Sequence, residues 1–181
     1  MYYISKWILK LIGWKVVGEI PADIKKCVVI SAPHTSNLDF FIGRLAYFSI
    51  RLKVKILIKR EMFFFPTGGL LKRFGGIPVD RSKRNDAVEN VAKLFAQYDS
   101  LYITIAPEGT RKLNRHWKKG FYYIALAAKV PIALGFIDYK VKEIGIGKFI
   151  TPSGNYEEDL KIIEDFYRGI GAKHPELFNL S

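Results

Sequence analysis

The feature that most constrains this chain is a regular alternation of short apolar runs with longer segments of helical periodicity. Runs rich in β-branched residues predict buried strands, and segments with apolar residues three or four positions apart predict helices. The predicted strands cover residues 28–31, 54–58, 77–79, 101–106 and 131–139, with residues 140–150 as a further strand paired to the last. The predicted helices cover residues 38–50, 63–74, 86–98, 119–129 and 157–170. This alternation favours a single α/β domain with a largely parallel central sheet flanked by helices.

The N-terminus predicts an amphipathic helix in front of this domain. Ile4, Trp7, Ile8 and Leu11 recur at helical spacing, with lysines on the opposite side. Such a helix suits either the interface of a bilayer or packing on the protein's own core, and composition alone slightly favours packing. We therefore divide the chain of 181 residues into a membrane-association segment at residues 1–20 and a folded domain at residues 21–181.

The charge of the chain limits its partners. The 29 Lys and Arg residues exceed the 17 Asp and Glu residues, which gives a net charge of +12 and favours a nucleic acid, an anionic bilayer or phosphate-bearing substrates. No recognised nucleic-acid-binding motif occurs, so a basic nucleic-acid-binding module is only the rival hypothesis. No apolar stretch is long enough for a spanning helix, and no signal peptide is evident. We expect a protein on the cytoplasmic face of a membrane, bound peripherally or monotopically.

Several kinds of cofactor site are not supported by the sequence. Cys27 is the only cysteine, and His116 and His174 are not grouped with other residues at metal-ligand spacing. The Gly-rich phosphate loops GxxxxGK[ST] and GxGxxG are absent, as is the GxSxG serine elbow. We therefore expect no metal and no tightly bound cofactor.

Three polar loops follow predicted strands, at residues 33–39, 80–82 and 107–111. Carboxyl ends of parallel strands share one edge of a sheet, so these loops are expected to face a common cleft. In the first loop, His34 is a candidate base, and Asp39 is a candidate partner that orients it. On a continuous helix their spacing would separate them by about 140°. A helix start capped by Ser36 or Asn37, with His34 incidental, explains the same residues equally well.

The other two loops carry candidate phosphate ligands. Arg111 is suited to two-point phosphate binding, Gly109 allows an anion to approach the backbone, and Glu108 suits either bracing Arg111 or accepting from a substrate hydroxyl. A turn with a surface ion pair is the plainer interpretation. Arg81 is a further candidate, with pairing to Asp80 as its alternative. Lys118 and Lys119 extend the positive charge, unless they only begin a solvated helix.

Four blocks in this order resemble the glycerolipid acyltransferase family, which includes lysophosphatidic acid and glycerol-phosphate acyltransferases. They are His-Thr-Ser-Asn-Leu-Asp at 34–39, Gly-Ile-Pro-Val-Asp-Arg at 76–81, Pro-Glu-Gly-Thr-Arg at 107–111 with Trp-Lys-Lys-Gly at 117–120, and Val-Pro-Ile at 130–132. The sequence departs from the family pattern at Pro33, where Asn is frequent, and at Ala106, where an aromatic residue is usual.

The resemblance implies specific roles for these residues. His34 would be the general base toward a glycerol-like hydroxyl and Asp39 its orienting partner. The acceptor and its phosphate would be held by the residues of the second and third blocks, Arg81, Glu108, Gly109, Thr110 and Arg111. The acyl donor would be acyl-CoA or acyl-carrier protein. The acceptor would be a lysophospholipid, by default 1-acyl-sn-glycerol-3-phosphate, with another lyso- or amino-lipid as the alternative. A catalytically silent lipid-binding protein of the same fold is the remaining hypothesis.

Overall fold

The computed structural model describes residues 1–80 and 84–180, which form a sheet flanked by helices. The strands are β1 (Lys15–Val17), β2 (Lys26–Ala32), β3 (Val54–Lys59), β4 (Gly76–Val79), β5 (Leu101–Ile105), β6 (Ile132–Asp138) and β7 (Glu143–Ile150). The α-helices are α1 (Tyr2–Leu11), α2 (Asn37–Ser49), α3 (Thr67–Arg73), α4 (Arg84–Gln97), α5 (Gly120–Ala128) and α6 (Tyr156–Tyr167). Two 3₁₀ turns cover Arg60–Met62 and Pro175–Leu177.

The sheet has the strand order β1-β7-β6-β2-β5-β3-β4. Strands β6, β2, β5, β3 and β4 run parallel, whereas β7 is antiparallel to β6, and β1 is parallel to β7. The largely parallel α/β fold and the pairing of the strand after residue 140 with its predecessor are therefore confirmed. The sequence analysis missed β1, because three residues carry too little periodicity to be recognised.

The middle of the sheet is buried on both faces. Val28 and Ile30 of the central strand β2 are fully buried in one apolar cluster, and Val29, which points to the opposite face, is fully buried in another. Helices α4, α5 and α6 cover one face through a large apolar cluster that includes Phe95 and Ile163. On the other face, α1 and α2 pack over the ends of β6 and β7. Helix crossovers that cover both faces are the usual arrangement around parallel strands.

The helix predicted at residues 63–74 is shorter in the structure. A 3₁₀ turn precedes it, and α3 begins at Thr67, directly after Pro66. Proline fixes its own φ angle and has no N–H to donate, so it is well tolerated at a helix start and disfavoured inside one. The two glycines after it lie inside the first turn and do not interrupt the helix.

Helix α1 covers much of the predicted amphipathic segment, but its apolar side is only partly covered. Ser5 and Leu9 are buried, and the helix packs against α2. Tyr3, Trp7 and Leu11 remain 77%, 66% and 69% exposed. Packing on the protein's own core therefore explains one narrow side of the helix and leaves most of its large apolar side chains in solvent. Within residues 1–80 and 84–180, no helix has the length and apolar character needed to cross a bilayer.

Candidate active site

The candidate site lies where three neighbouring strands end, at one edge of the sheet. Strand β2 lies between β5 and β6, and all three run in the same direction. The segments that follow them therefore emerge side by side: residues 33–36 after β2, residues 106–119 after β5, and Tyr139 after β6. The predicted meeting of the first and third polar loops at one edge follows from this topology.

The chain turns sharply between His34 and Asp39. Ser36 is the N-cap of α2, with extended backbone angles (φ −142°, ψ 155°), and Asp39 is the third residue of the helix. The turn brings the two side chains together, with 3.4 Å between His34 Nδ1 and Asp39 Oδ2. The His34 side chain is 20% exposed and that of Asp39 is 3% exposed. The capped helix start and the His–Asp contact, which the sequence offered as alternatives, coexist in the same seven residues.

Asp39 is held from several directions. Its Oδ2 accepts the backbone N–H groups of Thr35 and Ser36, each at 2.8 Å, and its Oδ1 accepts the Tyr139 hydroxyl at 2.6 Å. Burial, the largest influence, would raise the pKa of Asp39, but hydrogen bonds from His34, Tyr139 and Ser36 outweigh it and hold the pKa below its ordinary value. Asp39 is therefore a carboxylate anion beside the imidazole at neutral pH.

Tyr139 is a site residue that the sequence analysis did not single out. It follows β6 directly, and its ring stands edge-on to Trp14, with 5.0 Å between the ring centroids. The sequence did hold one indication of its role, because Tyr139 lies at the carboxyl end of a predicted strand. The three polar loops were selected by that same position, at which the functional groups of parallel sheets collect. Its partner Asp39 lies 100 residues earlier, so no local pattern connects the two.

Glu108 contacts the backbone of His34. Its Oε1 accepts the His34 N–H at 2.9 Å, and its side chain is almost wholly buried. Within the described part of the chain, its Oε2 has no hydrogen-bond partner. Burial raises the pKa of Glu108 to about 7, against smaller opposing effects from backbone hydrogen bonds and from His34. Glu108 thus fixes the loop that carries His34, and the ion pair with Arg111 that the sequence suggested does not form.

The rest of the third loop presents cations. Gly109 has φ +66°, and a Cβ there would lie 2.7 Å from the Lys118 side chain, so that lysine reaches across the loop. The N–H of Lys118 also donates to Pro107 O at 2.8 Å. Arg111 is exposed, and Thr110 accepts the N–H of Lys112 at 3.2 Å. Lys118 and Arg111 therefore project from one short loop beside the buried Glu108.

Two other candidate cations lie elsewhere or outside the described residues. Lys119 pairs with Glu157 at 3.0 Å and lies over the Tyr156 ring, so it belongs to the contact between α5 and α6. Arg81 lies outside the described residues, and its predicted role stays a prediction. In residues 1–80 and 84–180, no group of three or more His, Cys, Asp and Glu side chains is placed to hold a metal ion.

Comparison with known families places the chain. A family model described as Acyltransferase matches residues 14–133. The chain belongs to the acyltransferase family. The matched stretch includes the predicted site residues from His34 to Arg111, whereas Tyr139 lies beyond its end. The family predicted from the four sequence blocks is confirmed.

Two similar proteins give this acyltransferase-family chain a context. It is 34% identical over 116 residues to the human 1-acyl-sn-glycerol-3-phosphate acyltransferase beta, a match that covers 61% of this chain and 40% of that protein. The chain thus spans less than half the length of this curated relative. Among solved structures, it resembles the 1-acyl-sn-glycerophosphate acyltransferase PlsC from Thermotoga maritima, with a TM-score of 0.62 and 20% identity. That likeness covers 91% of this chain and 74% of the other, and confirms the fold.

Proposed function

We propose that this chain is an O-acyltransferase that moves a fatty acyl group from a thioester to the hydroxyl of a lysophospholipid, with 1-acyl-sn-glycerol-3-phosphate as the acceptor. Acyl-CoA or acyl-carrier protein supplies the thioester. Membership of the acyltransferase family and the names of both similar proteins support the reaction class and the acceptor. The observation that carries the proposal is the contact between His34 and the anionic Asp39 in a partly open site.

The reaction needs a base, because a hydroxyl is a poor nucleophile while it keeps its proton. His34 Nδ1 faces Asp39, which leaves Nε2 to take that proton. As it does so, the acceptor oxygen bonds to the thioester carbonyl carbon. The tetrahedral intermediate then collapses, the C–S bond breaks, and the imidazolium returns the proton to the departing sulfur. Asp39 stabilises the imidazolium throughout, and the hydrogen bond from the His34 N–H to Glu108 steadies the loop.

The acceptor phosphate is assigned to the cations of the third loop. Arg111 is exposed there, and Lys118 lies over Gly109. A guanidinium can bind a phosphate through two parallel hydrogen bonds, and an ammonium adds a point charge. Arg81 completes the predicted set. We place the reaction at the cytoplasmic face of the membrane, where an amphiphilic acceptor can reach the site without leaving its lipid surroundings.

His34 gives the direct test of the catalytic proposal. His34→Ala is expected to lower acyl transfer to 1-acyl-sn-glycerol-3-phosphate on the order of 10²–10⁴-fold, since general-base catalysis contributes about that much. The matched control is His116→Ala, because His116 is exposed in the same polar region. Labelled acyl-CoA and acyl-carrier protein, offered with a panel of lyso-lipid acceptors, identify donor and acceptor. Full turnover by a folded His34→Ala protein would refute the assignment.

The exposed side of α1 supports peripheral binding to anionic lipid. Trp and aliphatic side chains at the headgroup boundary, with Lys6 and Lys10 toward lipid phosphates, fit an interfacial helix. Ile4→Glu with Trp7→Glu is therefore expected to lower co-sedimentation with vesicles of phosphatidylglycerol and phosphatidylcholine at least tenfold. Tyr98→Glu with Ile162→Glu, which places the same two charges at exposed positions outside α1, is the control. Equal binding by the two proteins would remove α1 from the membrane contact.

A further inference from the structure

The two oxygens of the Asp39 carboxylate have different hydrogen-bond partners. Oδ2 faces the His34 ring and also accepts two backbone N–H groups. Oδ1 accepts the Tyr139 hydroxyl at 2.6 Å, a short distance typical of a hydroxyl donating to an anion. The tyrosine thus binds the oxygen opposite the imidazole. Together these contacts fix the rotation of the carboxylate about the Cβ–Cγ bond of Asp39. That rotation decides whether Asp39 Oδ2 points at His34 Nδ1.

Tyr139 is itself held in place. Its N–H donates to Gly171 O at 2.8 Å, and its ring packs edge-on against the buried Trp14. Lys173 Nζ lies over the ring, 5.9 Å from its centre. A side chain restrained by backbone, ring and cation contacts keeps its hydroxyl at one position, as a supporting residue must.

The charges around the pair favour a protonated tyrosine and an ionised aspartate. Burial, and then the hydrogen bond to Asp39, raise the pKa of Tyr139 above its ordinary value. The groups that face this pair are His34, Glu108 and Lys173, and the largest opposing influence on Asp39 is its own burial. Tyr139 is therefore a hydrogen-bond donor to Asp39 across the whole range in which an imidazole base works.

We propose that Tyr139 is a positioning residue of the acyl-transfer reaction, holding the Asp39 carboxylate so that Oδ2 stays directed at the His34 ring. This inference rests on the proposed function, and it adds to the His–Asp pair a third residue that lies beyond the stretch matched to the family. Tyr139 touches neither substrate nor His34 in this assignment and acts only through Asp39. Its contact with Trp14 also connects the segment after α1 to the catalytic carboxylate.

The structure contains a natural control for a purely structural tyrosine. At the start of α6, the Tyr122 hydroxyl donates to Asp159 Oδ2 at 2.8 Å, and both residues are buried. The described residues place no histidine against Asp159: its other partners are the N–H and hydroxyl of Ser153. Tyr122→Phe therefore removes a tyrosine–aspartate hydrogen bond at a site without an imidazole, and with it the acceptor of the Gly154 N–H at 3.0 Å.

The test compares Tyr139→Phe with Tyr122→Phe in the full chain. Both keep the ring, so both are expected to fold with a modestly lowered Tm. Tyr139→Phe should lower kcat about tenfold or more with little change in KM, whereas Tyr122→Phe should stay within about twofold of the parent. Losing the donor at Oδ1 leaves more negative charge on Oδ2, which favours the protonated imidazole. The acidic limb of the pH–rate profile of Tyr139→Phe should therefore move to higher pH.

A second measurement separates this inference from the proposed function. The NMR signal of the His34 Nδ1 proton reports its contact with Asp39 without any turnover. In Tyr139→Phe this signal should move or broaden away, and in Tyr122→Phe it should remain. If the parent protein shows no acyl transfer, the proposed function fails while the NMR comparison still decides the positioning role. An active Tyr139→Phe with the parent's kcat, pH profile and Nδ1 signal would overturn it. Should Tyr139→Phe not fold, Trp14→Phe loosens the Tyr139 ring while keeping its hydroxyl. Trp14→Phe must then lower kcat more than about twofold and shift the Nδ1 signal for the role to stand, and the parent's kcat and Nδ1 signal in this variant would overturn it.

Discussion

The first turns of α2 and α6 are built from nearly the same parts. Each buries an aspartate, Asp39 in α2 and Asp159 in α6. Each aspartate accepts a tyrosine hydroxyl from another element, Tyr139 at 2.6 Å and Tyr122 at 2.8 Å. Asp39 also accepts two backbone N–H groups from residues just before its helix, and Asp159 accepts one. The shared arrangement supplies a helix N-terminus with a negative charge and satisfies its free donors.

The difference is what stands on the open side of the carboxylate. Asp39 has the partly exposed His34 ring there, whereas Asp159 has the Ser153 hydroxyl. Within the described residues, an aspartate held by a tyrosine thus occurs at both of these helix starts. Only at the carboxyl end of β2, where a histidine precedes the helix, can the same arrangement support proton transfer. The proposed chemistry depends on the added imidazole and on the edge of the sheet at which it lies.

The largest contrast is expected between Asp39→Asn and Asp159→Asn. An asparagine oxygen can still accept hydrogen bonds, but it cannot balance the charge of an imidazolium. Asp39→Asn should lower kcat/KM on the order of 10²–10⁴-fold. Asp159→Asn should lower Tm and leave the kcat/KM of the folded fraction within about threefold. Steady-state assays beside thermal unfolding curves check this, and equal losses of kcat/KM at both positions would end the distinction between the two helix starts.

The sequence was sufficient to predict the fold and to locate the first loop, because alternating periodicities and the carboxyl-edge rule are local. It was insufficient to choose between a dyad and a capped helix, since that choice depends on the turn at Ser36, which the spacing of His34 and Asp39 does not reveal. Tyr139 was missed because the contact is made by tertiary structure. The contact of Glu108 with the His34 backbone was missed for a similar reason, because β5 and β2 are neighbours in space and not in sequence. The sequence offered Arg111 or a substrate hydroxyl as the partner of Glu108, and the structure adds the His34 N–H.

Amphipathic periodicity likewise predicted the helices but not which of their apolar sides would be buried. Both α1 and α6 have apolar residues at helical spacing, and both were predicted as helices. Leu160, Ile163 and Tyr167 of α6 are buried in the main core, whereas Trp7 and Leu11 of α1 are exposed. Periodicity identifies the apolar side of a helix. Which other element covers that side depends on the tertiary structure.

Glu108 is a buried carboxylate that, unlike Asp39 and Asp159, does not lie at a helix start. It has one described donor, the His34 N–H, and burial raises its pKa to about 7. Because the pKa is raised in the folded state, the folded protein binds the proton more tightly, and stability falls as pH rises from about 4.5 through about 7. Asp39, whose pKa is lowered, contributes stability that is lost only in acid below its ordinary pKa.

Glu108→Gln should therefore remove this alkaline penalty while keeping the acceptor for the His34 N–H. A rise from 4.5 to about 7 corresponds to roughly 3 kcal/mol, at about 1.4 kcal/mol per pH unit. The variant is expected to exceed the parent in unfolding free energy by up to that amount at pH 8.5 and to gain much less at pH 4.5. Urea unfolding at the two pH values measures the difference. A constant difference between the two proteins across this range would show that folding does not raise the pKa of Glu108.

The smallest expected effects are at the caps themselves. Ser36 Oγ accepts the Leu38 N–H at 3.2 Å, and Asn155 Oδ1 accepts the Glu158 N–H at 3.4 Å. Ser36→Ala and Asn155→Ala should each cost about 1 kcal/mol of unfolding free energy, as cap removals usually do. Ser36 holds Asp39 through its backbone N–H, which alanine retains, so the drop in kcat for Ser36→Ala should be far smaller than for Asp39→Asn. A loss of activity in Ser36→Ala that matches Asp39→Asn would mean that the cap hydroxyl, and not the carboxylate with its tyrosine, sets the geometry of the site.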